Sequence, residues 1–172
     1  MRKGNQMIEI KDKKDCAGCT ACTEICPKKC IQMKPDEEGF LYPVVDKNRC
    51  VECNACNMVC PIQNPITEEE KPQKAYLVQH CDEKVRLDSS AGGAFTAIAT
   101  VVLQRGGVVF GAAYDENFHV QHTYVEAVNE LKRFRNSKYV QSDLGDSFCL
   151  VKDFLQKDSC LLYTSDAADE AR

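Results

Sequence analysis

The stretch Cys16-Ala17-Gly18-Cys19-Thr20-Ala21-Cys22-Thr23-Glu24-Ile25-Cys26-Pro27 recurs 34 residues later as Cys50-Val51-Glu52-Cys53-Asn54-Ala55-Cys56-Asn57-Met58-Val59-Cys60-Pro61. Both copies read C-x2-C-x2-C-x3-C-P, and together they hold eight of the twelve cysteines. Three closely spaced thiolates let one tight loop wrap three corners of an iron–sulfur cube. The fourth cysteine cannot bend back from its short helix to the same cube, so it reaches the neighbouring one. The spacing therefore predicts two [4Fe–4S] clusters and one-electron chemistry. One cluster is assigned to Cys16, Cys19, Cys22 and Cys60, the other to Cys50, Cys53, Cys56 and Cys26. The proline after each fourth cysteine lacks an N–H and fixes the chain direction as it leaves the site.

Two other uses of cysteine compete with this. Structural zinc takes two C-x2-C pairs across a longer spacer and needs no third cysteine in each loop. Disulfides are disfavoured because no secretory signal precedes the cysteines and C-x2-C bridges are strained. With 172 residues the chain is long enough for one ordinary domain or two small ones. Its formal net charge of −4, made more negative by thiolate-bound clusters, argues against nucleic acid as a partner. No apolar run approaches the length of a membrane span. The expectation is a soluble cytoplasmic protein of an anaerobic or low-oxygen cell, with a redox protein as partner.

Outward from the repeats, Ile8 and Ile10 suggest a first strand. Ile31–Met33 and Tyr42–Val45 alternate like strands around a turn at Asp36–Gly39. The segment 1–64 has few large apolar side chains, so its clusters are expected to supply much of its folding energy. Pro65–Pro72 reads as a charged, proline-bounded linker. Beyond it, strands at Ala75–His80, Val108–Tyr114 and Val120–Glu126 alternate with helices at Ala94–Gln104 and Gly145–Gln156, which suggests an α/β domain. Gly92-Gly93 precedes the first of these helices, where free N–H groups and bare backbone could bind phosphate; an ordinary turn with Ser89 or Ser90 as N-cap is the simpler alternative. Gly106-Gly107 reads as that helix's C-cap.

Four segments together resemble one family: GFLYPVVD (Gly39–Asp46), SSAGGAFTAIA (Ser89–Ala99), GGVVFGAAYDENFHV (Gly106–Val120) and SKYVQSDLGDSF (Ser137–Phe148). With the cysteine pattern they are similar to the beta subunits of the deazaflavin-coenzyme (F-420) hydrogenases and dehydrogenases and their bacterial relatives, from about Lys14 to Lys157. The resemblance implies FAD in the second domain, with Ser90, Gly92, Gly93, Lys138 and Tyr139 at the flavin. It also implies that this flavin exchanges hydride with a soluble carrier and single electrons with the clusters. The partner would be a redox protein or the catalytic subunit of a hydrogenase- or dehydrogenase-like complex. The expected fold is α+β: a ferredoxin-like dicluster domain (1–64), then the N-terminal part of an α/β flavin-binding domain (73–159). A ferredoxin-type carrier or docking module without catalysis of its own is the alternative.

Residues 160–172 are expected to be foreign to the native chain. Cys160–Glu170 back-translates in one frame into a transposase adaptor of sequencing libraries; the bland alternative is a natural helix capped by Thr164 or Ser165, but agreement at every residue of an eleven-residue run makes chance implausible. On that reading the flavin domain is cut short near Ser159 and binds flavin weakly or not at all. Cys30, Cys81 and Cys149 read as packed thiols rather than ligands. His80 with Cys81, and His119 with His122, read as lying on opposite strand faces and so make poor metal pairs.

Overall fold

A computed structural model describes residues 7–65 and 74–163. The expected linker, apart from Pro65, and the expected cap at Thr164 or Ser165 lie outside them. The fold mixes helix and strand, and it divides into two compact units, Met1–Pro72 and Gln73–Arg172.

In the first unit each cysteine repeat is a loop running into a short helix, α1 (Ala21–Glu24) and α2 (Ala55–Val59). Between them an antiparallel hairpin, β1 (Ile31–Pro35) and β2 (Leu41–Val45), pairs Ile31 with Val45 and Pro35 with Leu41. Asp36 closes its turn: one carboxylate oxygen accepts the N–H groups of Glu38 and Phe40, and the other accepts the Lys13 ammonium at 2.8 Å. The core gathers Ile8, Cys30, Ile31 and Cys56, with Ile10, Cys22, Cys26, Val45, Cys50 and Cys60 packed around them. Six of those ten side chains are thiols. Ile8 and Ile10 form no strand, contrary to the sequence reading. The N–H of Ile8 is turned instead onto Cys56 Sγ, at 3.2 Å.

The second unit is built on a three-stranded sheet of order β4-β3-β5. Strand β3 (Val108–Tyr114) pairs antiparallel with β4 (Val120–Val125) and parallel with β5 (Leu161–Tyr163). β3 is buried on both faces for six of its seven residues, which is why it reads as an unbroken apolar run. Val109 and Ala113 pack with Ala99 and Leu103 of α4 (Ala94–Gln104) and with Leu131 and Phe134 of a 3-10 segment (Val128–Phe134). Phe110 faces the other way. It meets Phe154 of α5 (Ser147–Gln156) edge-on at 6.0 Å and stacks on Tyr163 at 5.9 Å.

Ala75–His80 is not a strand, because only its last residue is tied down: the N–H of His80 donates to Gly92 O at 2.7 Å. Tyr76, Leu77 and Val78 are exposed. One short helix, α3 (Glu83–Leu87), follows, capped by the Asp82 carboxylate on the N–H of Lys84. The N-cap of α4 is Gly93 rather than a serine, in the left-handed region at φ 79°. Ser89 Oγ donates to Val85 O and Ser90 Oγ to Asn136 Oδ1. At the other end of α4, Gly106 and Gly107 donate to the carbonyls of Leu103 and Val102, as a C-cap should.

The 78–80 segment lies so close to Gly92 that a Cβ there would strike Val78 O. Gly92→Ala should therefore destabilise the second unit by about 1–3 kcal/mol, the usual range for a side chain forced into filled space. A lower urea midpoint for that unit in the full chain is the expected readout.

Candidate metal centre

The two cysteine loops share an unusual backbone. In the first, Gly18 (φ 63°) and Thr20 (φ 58°) are left-handed; in the second, Glu52 (φ 52°) and Asn54 (φ 64°) occupy the equivalent positions. Three of these four are not glycine, and each such residue stores about 1–3 kcal/mol of strain. Strain of this kind persists where something over-determines the loop, and a turn that aims successive N–H groups inward is a concavity suited to anions, iron–sulfur groups included. Thr20 and Asn54 are the N-caps of α1 and α2, and neither caps with its side chain.

The thiols gather around two cavities. Cys16, Cys19, Cys22 and Cys60 line one, together with Ile8, Ile10, Met33, Pro43, Pro61 and Ile62 among others. Cys26, Cys50, Cys53 and Cys56 line the other, together with Cys30, Ile31 and Val45. Each cavity thus takes three cysteines from one repeat and the last cysteine from the other. Helices α1 and α2 pack side by side. All twelve cysteines are free thiols. Among the described residues no three His, Cys, Asp or Glu side chains converge on a point where a single ion would sit. The cysteines instead line the walls of the two cavities.

Local electrostatics separate these sulfurs. Cys22 is pushed up to about 11, chiefly by burial and then by the neighbouring Cys19 thiol. Burial also opposes ionisation of Cys26, but the N–H and thiol of Cys30 and the N–H groups of Lys28 and Lys29 outweigh it and hold Cys26 below the ordinary thiol range. Cys30 goes the opposite way, to about 11, through burial and the proximity of Cys26 and Cys50. Further N–H groups point at sulfur in the second cavity, from Ile8 to Cys56 at 3.2 Å and from Glu52 to Cys50 at 3.4 Å.

Residues 15–64 match the family model of the 4Fe-4S dicluster domain. This part of the chain is a ferredoxin-type domain for iron–sulfur electron transfer. The match spans the two loops, the hairpin and both short helices. No curated protein matches the chain.

The remaining residues singled out from sequence lie in the second unit. Gly92 and Gly93 have their open sides filled, Gly92 by Val78 and Gly93 by His80 and Val85. Ser90 is exposed and bonded to Asn136, which brings the glycine loop against the segment leading to Lys138. Lys138 is buried, and its ammonium donates to the carbonyls of Arg133 and Arg135. Desolvation lowers its pKa from the usual lysine value. Tyr139 is 84 % exposed, so its ring faces solvent. Cys81 and Cys149 are exposed rather than packed, which corrects the reading of both. His119 lies in the turn before β4, not on it, with Nδ1 3.4 Å from Asp115 Oδ2. His122, on β4, stacks on Tyr163 and is 2.6 Å from Ser142 Oγ. Two features were missed from sequence: the N–H of Ile8 at Cys56, for which a backbone donor leaves no signal, and the place of Cys30 in the wall of the second cavity.

With so few hydrocarbon side chains in its core, the first unit should depend on iron. Stripping iron from the full chain with a chelator is expected to expose residues 15–64 to protease while the second unit stays protected. Limited proteolysis followed by mass spectrometry of the fragments checks this.

Proposed function

We propose that this chain is the electron-transfer part of an iron–sulfur oxidoreductase subunit, in which two [4Fe–4S] clusters pass single electrons to or from a flavin-binding second domain. The observation that carries the first half is the pair of cavities, each walled by a full set of four cysteines drawn from both repeats. Cys16, Cys19, Cys22 and Cys60 hold one cluster, and Cys26, Cys50, Cys53 and Cys56 the other. Such clusters take and give one electron at a time, at potentials set by burial and by hydrogen bonds to sulfur. The chain's part is to fix the thiolates, exclude water from all but the outer faces, and aim N–H groups at the sulfurs. Cys53, the only exposed cysteine of the eight, marks the face where the second cluster comes nearest to solvent.

The second half rests on the family resemblance and on the start of α4, where Gly93 leaves the first turn without a side-chain cap. A flavin, when bound, converts a hydride into two single electrons. Ser90, Gly92 and Gly93 are the proposed contacts, with Lys138 holding the 133–138 segment beside them. The hydride carrier is a soluble cofactor, and the partner is a redox protein or catalytic subunit; among the described residues no helix is long and apolar enough to cross a membrane.

Two measurements test this. Anaerobic reconstitution should load about eight iron atoms per chain, and Cys60→Ala should remove about half of them. Its residual spectrum should match that of Cys22→Ala and differ from that of Cys53→Ala; grouping with Cys53→Ala would refute the crossed assignment. Flavin content separates the oxidoreductase from a simple carrier. The 172-residue chain should bind added FAD weakly, and no binding at all would favour the carrier.

A further inference from the structure

Cys30 belongs to neither set of four, yet it walls the second cavity. It stands four residues past the last cysteine of the first repeat, and the equivalent position in the second repeat is Asn64. The two side chains are used differently. The Asn64 amide donates to the carbonyl of Asn57. Cys30, only 4 % exposed, places its Sγ 3.4 Å from Cys26 Sγ and its N–H 3.5 Å from the same sulfur. A thiolate bound to iron carries no proton, so the proton between these two sulfurs resides on Cys30.

We propose that Cys30 is a positioning residue that donates its S–H to Cys26 Sγ and makes the two clusters unequal, the cluster on Cys26, Cys50, Cys53 and Cys56 being the more easily reduced. This rests on the crossed cluster assignment above. A hydrogen bond to a ligating sulfur draws electron density from the cluster and stabilises the added electron, and potentials depend on such bonds. At Asn64 the amide donates to the Asn57 carbonyl instead. The repeat is therefore symmetric in its ligands and asymmetric in the residue that follows them.

The test compares the anaerobically reconstituted full chain with Cys30→Ala, Cys30→Val and Cys30→Ser. Iron and sulfide are counted first, and the two reduction potentials are then followed by EPR. All four proteins should keep about eight iron atoms. In Cys30→Ala and Cys30→Val one potential should fall by about tenfold in the reduction equilibrium, about 59 mV for one electron, while the other stays fixed. Cys30→Ser, which keeps a donor, should restore most of the difference. Valine fills the space that alanine vacates, so a packing defect would show in alanine alone. Unmoved potentials in Cys30→Val, a rise instead of a fall, or loss of about half the iron would each overturn the proposal. A wild-type chain holding only one cluster would instead overturn the reading beneath it, and the iron count distinguishes the two failures.

Discussion

Four sulfurs must meet around each cavity, and no single loop can bring all four. The first unit is arranged around that requirement. Three cysteines come from one loop and the start of its helix, and the fourth from the end of the other helix or just beyond it, so α1 and α2 have to lie side by side and the hairpin between them has to reverse the chain. The left-handed residues at equivalent places in the two loops are the local cost of bending backbone around a cube. What would be hydrocarbon in another small domain is sulfur here, and cohesion passes from apolar contact to metal–thiolate bonds.

The second unit obeys different physics. Its central strand is covered on both faces, by α4 on one side and by the aromatic group of Phe110, Tyr124, Phe154 and Tyr163 on the other. Among the described residues that core is built of hydrocarbon and aromatic side chains. Iron and oxygen should therefore act chiefly on the first unit.

Regular spacing made much of this legible in advance. The cysteine repeat, the hairpin at Ile31–Val45, and α4 and β3 follow from periodicity and turn residues, because local sequence decides them. Errors fell where tertiary contacts decide. Ala75–His80 looks like a strand but has no neighbour to pair with beyond one bond to Gly92. Ile8 looks like a strand residue but gives its N–H to sulfur. Ser89 and Ser90 are good caps by type, yet their hydroxyls are drawn to Val85 and Asn136. Cys30 was legible as a thiol but not as a neighbour of Cys26, since that contact depends on how Lys29, left-handed at φ 45°, turns the chain.

The hairpin turn has a practical side. Asp36 satisfies the turn from within, Glu37 and Glu38 are exposed, and a side chain at Gly39 would meet nothing. None of these residues walls either cavity. A peptide spliced between Glu37 and Glu38 would give up the turn's own bonds to Asp36, yet it would enter at a point that lines neither cavity. This is the natural place to tether the domain to an electrode or to splice it into another enzyme.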